Sequence, residues 1–167
     1  MLQRCNSATP ATSANPCNIC NMLNGISPLL SPDMLATLSR MGHGDELVLG
    51  DAHFPAETFG SRYVLRADGI TVEQLMDAIL PLFELDTYGT DAPMITMEAV
   101  PGDTLDPAVE ASYRAAADRH GFAWAKMGRL ERYAFYERAK KAYAVIISGE
   151  TAKYGNIILK KGVTPIN

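Results

Sequence analysis

The chain has 167 residues, 47% of them hydrophobic and 20% charged, with a formal net charge of −4, the balance of one globular domain of ordinary size. No run of Lys and Arg is long enough to follow a phosphate backbone, which argues against nucleic acid as a partner. The longest apolar runs, such as Ala144-Val145-Ile146-Ile147, are far too short to cross a bilayer, and the N-terminus lacks the basic start and unbroken apolar stretch of a secretory signal.

Residues 1–21 are rich in Ser, Thr, Ala, Asn and Pro and carry no hydrophobic period. Such a segment buries too little apolar surface to offset its ordering entropy, so it is expected to be a disordered extension. The folded domain is expected over 22–167, beginning at Met22. All three cysteines (Cys5, Cys17, Cys20) lie in the extension. Cys17 and Cys20 have CxxC spacing, but no second CxxC or HxxxH pair completes four ligands, so no metal is expected. A body without cysteine suits a reducing cytoplasm.

The first helix opens at Ser31-Pro32, an N-cap followed by proline at the first helical position. Met34, Leu35, Leu38 and Met41 mark its apolar face, and Gly42 is placed to end it. Residues 46–50 read as a short buried strand, and 62–66 as a second that closes at the turn Asp68-Gly69. Thr71 and Gln74 form a capping box before a helix with Val72, Leu75, Met76, Ile79 and Leu80 on one side. A third strand is expected over 93–100, and a helix from Asp106-Pro107 to His120-Gly121. Residues 122–127 read as a short strand, 132–141 as a helix, and 144–148 and 156–163 as the last two strands. Strands alternating with amphipathic helices predict an α/β layered fold. The short connection between the last two strands predicts an antiparallel pairing, hence a mixed sheet.

The residues that can do chemistry cluster in a few places. His43 lies between Gly42 and Gly44 at a helix-to-strand junction, with little bulk around it. An imidazole titrates near pH ~6.5 and can give and take a proton at neutrality; an exposed loop histidine fits the same spacing. Asp51 follows the first strand, where α/β folds place ligand-binding groups, and satisfying loop amides is its plainer role. Asp86 sits in Leu85-Asp86-Thr87-Tyr88, where an Asx-turn would also explain it. Arg132 and Tyr136 are four apart and share a helix face. Tyr154, Gly155 and Asn156 precede the last strand and suit either hydroxyl binding or a plain turn. His53 fits packing as readily as chemistry. No P-loop, GxGxxG, HExxH or GxSxG is present, so phosphate transfer, nucleotide cofactors and serine hydrolysis have no support.

Several stretches together resemble the ribose pyranase and fucose mutarotase family, on its fucose branch. They include ISPLLSP (26–32), RMGHGDE (40–46), DAHFP (51–55), RADG (66–69) and PLFELDTY (81–88). To these are added GDTLDP (102–107), FYERAKKA (135–142) and GETAKYGNIILKKGV (149–163), in order over nearly all of 22–165. The resemblance implies a three-layer α/β/α fold with a mixed sheet, an assembly of identical chains, and a free monosaccharide substrate, L-fucose, handled without metal or cofactor. It assigns the catalytic histidine to His43. It assigns sugar binding to Asp51, Asp86, Arg132, Tyr136, Tyr154, Gly155 and Asn156. The ribose branch tends to have YAN where this chain has Tyr154-Gly155-Asn156 and lacks FYERA, which favours fucose. The alternatives are a ribose pyranase activity and a non-catalytic monosaccharide-binding protein. With His43 and Asp51 early in the chain and Tyr154 and Asn156 near its end, the oligomeric habit that the resemblance implies leads to the further expectation that one chain's tail completes another chain's pocket.

Overall fold

The computed structural model describes residues 23–59 and 61–165; the N-terminal extension and its cysteines lie outside the described residues. The first helix, α1 (Pro32–Arg40), begins as the sequence demands, with the Ser31 hydroxyl accepting from the Met34 amide at 3.2 Å. It leads to β1 (Glu46–Gly50), a single turn α2 (Ala56–Phe59) and β2 (Val64–Ala67). Helix α3 (Val72–Ile79) carries the full Thr71–Gln74 capping box and runs into the 3-10 turn Leu80–Leu82. Then come β3 (Met94–Met97), α4 (Pro107–Arg119), β4 (Met127–Leu130), α5 (Arg132–Ala139), β5 (Ala144–Ser148) and β6 (Ile157–Lys160).

The six strands form one sheet in the order β2-β5-β1-β6-β3-β4. All neighbours are parallel except β6, which runs antiparallel to both β1 and β3. The sheet is therefore mixed, but not through a β5–β6 pair: β1 lies between those two strands. Two other expectations are corrected. Residues 122–126 form a turn whose Phe122 and Ala125 are core residues, and the strand begins only at Met127. Gly42 does not cap α1: the helix ends at Arg40, Met41 is extended, and the left-handed residue is Gly44 at φ 84°.

Alternation along the strands builds two cores. Leu47, Leu49, Ile146, Ile157 and Leu159 face one side, under Met34, Leu38, Leu75, Met76, Ile79 and Ala116 of α1, α3 and α4. Val48, Ile95, Met97, Val145, Ile147 and Ile158 face the other, under Phe54, Ala56, Phe135 and Ala139 from α2, α5 and the β1–α2 loop. The result is the three-layer α/β/α arrangement. No helix of the described residues is long and apolar enough to cross a membrane.

Candidate functional site

The antiparallel placement of β6 beside β1 brings the residue after β1 against the residue before β6. Asp51 and Asn156 are both buried there and hydrogen-bond twice. The Asp51 amide donates to Asn156 Oδ1 at 2.8 Å, and Asn156 Nδ2 donates to Asp51 Oδ2 at 2.9 Å. That pairing fixes which way the Asn156 amide points. Asp51 Oδ1 accepts from the His53 amide at 2.9 Å. Burial pushes the Asp51 carboxyl above its usual range, and the His53 and Asn156 hydrogen bonds offset only part of this. Ser148, at the end of β5, donates to the Gly50 carbonyl at 2.7 Å and ties the neighbouring strand end to this corner.

Over this pair lies a cleft of about 340 Å³. Its polar lining is Asp51, His53, Asp103, Arg132, Lys153, Tyr154 and Asn156, and its apolar wall is Phe54, Met97 and the ring of Tyr136. Tyr136 is set by an edge contact with Phe54 (5.8 Å between ring centres) and a tilted one with Phe59 (5.2 Å). Arg132 Nε donates to the Tyr136 hydroxyl at 3.3 Å and the guanidinium lies 5.5 Å from that ring. Tyr154 adopts φ 59°, the left-handed region, alone among the described non-glycine residues. Such a conformation costs about 1–2 kcal/mol and marks a position held by its surroundings. Gly155 is not on the cleft surface. It packs beneath: a Cβ there would meet the Glu150 Cγ at 2.8 Å, the Ala152 carbonyl at 2.9 Å and the Tyr113 hydroxyl at 3.3 Å.

Five of the residues singled out in the sequence thus line one cleft: Asp51, Arg132, Tyr136, Tyr154 and Asn156. His43 and Asp86 do not join them. They form a second cluster at the opposite end of these central strands, where β1 begins and β6 ends. His43 Nε2 lies 3.1 Å from Asp86 Oδ1, and Lys160 Nζ, from the last residue of β6, lies 3.0 Å from Asp86 Oδ2. An ionised carboxylate only accepts, so Nε2 carries the proton and Nδ1 is left for other work. Asp86 is 4% exposed, and burial alone would raise its pKa. Hydrogen bonds from the Tyr88 amide, Lys160 and His43 outweigh that and bring the carboxyl down to about 2. His43 itself is half exposed, and the ring of Tyr88, 74% exposed, stands 5.6 Å away edge-on.

The sequence reading missed four cleft residues, Asp103, Lys153 and the apolar Phe54 and Met97, and left His53 unassigned. Met97 was visible only as one of many strand apolars. Nothing local in the sequence sets Asp103 or Lys153 apart, and only their mutual approach across 50 positions gives them a place in the site. Among the described residues no group of three or more His, Cys, Asp or Glu side chains is arranged to hold a metal ion.

Comparison with known proteins bears on this geometry. The sequence profile described as the RbsD / FucU transport protein family matches residues 24–164. A protein of Histophilus somni (strain 2336) named L-fucose mutarotase is 61% identical over 144 residues, covering 86% of this chain and 99% of that one. One from Actinobacillus pleuropneumoniae serotype 5b (strain L20), with the same name, is 59% identical over the same shares. The crystal structure of the Streptococcus pneumoniae fucose mutarotase in complex with L-fucose superposes with a TM-score of 0.80. It is 43% identical, covering 86% of this chain and all of that one. By sequence and by fold, the chain belongs to the RbsD / FucU family.

Proposed function

We propose that the chain is a mutarotase that interconverts the α and β anomers of free L-fucose, with residues 22–167 as the active unit. The observation that carries this is the cleft at the end of β1. It offers fixed acceptors and donors for hydroxyls (Asp51, Asn156, Arg132, Tyr154) beside an apolar wall (Phe54, Met97, Tyr136) suited to a 6-deoxy sugar's methyl group. The names of the similar proteins support the same substrate. A cysteine-free body from residue 21 onward suits the cytoplasm.

Mutarotation breaks the bond between C1 and the ring oxygen. The anomeric hydroxyl loses a proton, the ring oxygen gains one, the aldehyde rotates about C1–C2, and closure reverses both transfers. A positioned imidazole can serve as the acid and then the base. Proton transfer needs heavy-atom approach of ~2.6–3.2 Å. His43 precedes β1 and Asp51 follows it, and five strand residues at ~3.3 Å each separate them by roughly 16 Å. One sugar cannot touch both within a chain. We therefore infer a homo-oligomer in which the His43 edge of one chain closes the Asp51 cleft of the next. One patch meeting a different patch is a heterologous contact, which builds a ring when its rotation closes. The exposed Tyr88 beside His43 supplies an aromatic surface for that contact. In this assembly Asp86, locked to Lys160, holds His43 Nε2–H and points Nδ1 at the substrate.

A second reading has one observation in its favour: His53 lines the same cleft as Asp51. There the acid/base would be His53, and the site would be complete in one chain. Saturation-transfer NMR on L-fucose tests the activity itself. Exchange between the anomeric signals, accelerated in proportion to protein, is the expected result; line broadening without exchange would make the chain a sugar binder only.

A further inference from the structure

The segment between β3 and α4 meets the segment before β6 through the Asp103 carboxylate and through the Val100 amide, which donates to the Tyr154 hydroxyl at 3.5 Å. Asp103 sits in a tight turn, its amide donating to the Val100 carbonyl at 3.0 Å. Its Oδ1 accepts from the Thr104 amide at 2.9 Å. Lys153 Nζ lies 3.2 Å from both carboxylate oxygens, and the Tyr154 hydroxyl donates to Oδ2 at 2.9 Å. Asp103, Lys153 and Tyr154 all line the cleft.

The direction of the last bond matters. A phenol has one proton to give, and an ionised carboxylate can only accept. The Thr104 amide, the Tyr154 hydroxyl and Lys153 hold the Asp103 carboxyl below its usual range, so at neutral pH the Tyr154 proton is committed to Asp103 rather than to a ligand. One Tyr154 lone pair faces the Val100 amide at 3.5 Å, so what Tyr154 then offers a ligand is its remaining lone pair. The left-handed backbone of Tyr154 indicates that its ring is placed by such outside contacts rather than by local preference.

We propose that Asp103 is a positioning residue for sugar binding: by taking the Tyr154 hydroxyl proton it makes that hydroxyl an acceptor, so the cleft selects a sugar hydroxyl that donates there. The proposal rests on the mutarotase reading for its substrate. Asp103 acts through Tyr154, and its effect belongs to binding rather than to the proton transfer.

The test compares Asp103→Ala, Asp103→Asn, Tyr154→Phe and the Asp103→Ala/Tyr154→Phe double variant. Each is titrated with L-fucose for Kd, followed by NMR for the kcat and KM of anomer exchange, and melted for stability. Asp103→Ala and Tyr154→Phe should each raise Kd and KM about tenfold, the loss of roughly one hydrogen bond, with kcat within about threefold. The double variant should be no worse than the weaker single, because both remove the same bond. Asp103→Asn keeps a carbonyl acceptor and should recover most of the affinity. Parent-like affinity in Asp103→Ala, multiplying losses in the double variant, or an Asn variant as weak as Ala would each overturn the proposal. Should Asp103→Ala fail to fold, near-parent affinity of Asp103→Asn against a tenfold weaker Tyr154→Phe decides it. Failure of the mutarotase reading looks different: the parent binds L-fucose without exchanging it, and the Kd series still reports on Asp103.

Discussion

His43 and Asp51 stand at opposite ends of β1, three residues before its first residue and one after its last. Each end has its own polar cluster: His43, Asp86 and Lys160 at one, Asp51 and Asn156 at the other. Antiparallel β6 contributes to both, with Asn156 before it and Lys160 at its end. One strand pair thus positions both clusters, and it puts Asp51 and Asn156 in one cleft of one chain rather than on the two sides of a shared site.

Replacing His43 separates the two histidine readings. His43→Ala should keep its melting temperature within a few degrees, since the ring is half exposed and fills no core. Its anomer exchange should fall by roughly 10²–10⁴-fold, the usual contribution of a positioned acid/base. Saturation transfer on L-fucose measures the rate and thermal unfolding checks the fold. A larger loss from His53→Ala than from His43→Ala would move the acid/base role to the cleft histidine.

Asp86 should leave an acid signature in stability. Its folded pKa is about 2 against an ordinary 3.8, so its stabilisation is fully present above pH ~3.8 and is lost as pH falls from there toward 2. At ~1.4 kcal/mol per pH unit this amounts to about 2 kcal/mol. Asp51 has the opposite sign. Its raised pKa makes the ionised form a cost above that pKa, relieved as pH falls toward 3.8. Denaturant melts from pH 7 down to pH 2 should show Asp86→Asn less stable at neutrality and flatter below pH 4. Parallel curves for the parent and Asp86→Asn would contradict the assignment.

Gly155 is a packing position under the cleft. Gly155→Ala places a methyl against the Ala152 carbonyl and the Tyr113 hydroxyl, and should destabilise by about 1–3 kcal/mol, as overpacking does. Because Asn156 follows directly, sugar affinity should weaken with it. Thermal unfolding and L-fucose titration read the two effects, and an unchanged melting temperature would show that the turn has room.

Helix starts were legible because they are local chemistry: Ser31-Pro32, Thr71 with Gln74, and Asp106-Pro107 each supply the partner for an orphan helix amide within three residues. The place of β6 was not legible, since strand order is settled by which apolar faces meet across the whole chain rather than by loop length. The four-residue α2 is too short to show a period. The early end of α1 turns on Met41, which is buried in extended conformation and so mimics one more helical turn in the apolar pattern. Of the site, the residue types at Asp51, Tyr154 and Asn156 pointed to hydroxyl binding. That Asp86 belongs with His43 rather than with Asp51 required the register of β6, which puts Lys160 opposite Glu46.

Sugar preference follows from the cleft's apolar wall. L-fucose should exchange about tenfold or more faster than D-ribose, which offers no methyl group to Phe54, Met97 and Tyr136; one such group is worth roughly 1–3 kcal/mol. Rates for both sugars at equal concentration decide it, and comparable exchange of ribose would assign the chain a pyranase activity.

The shared site is tested most directly by mixing two inactive variants. His43→Ala retains an intact Asp51 cleft, and Asp51→Ala retains an intact His43 edge. Unfolded and refolded together in equal amounts, randomly assembled chains should place an intact edge against an intact cleft in about a quarter of the pockets. Anomer exchange of L-fucose should then return to roughly 25% of the parent rate, while each variant refolded alone stays inactive. Mixed assemblies with no recovered exchange would contradict the account and place the complete site within one chain.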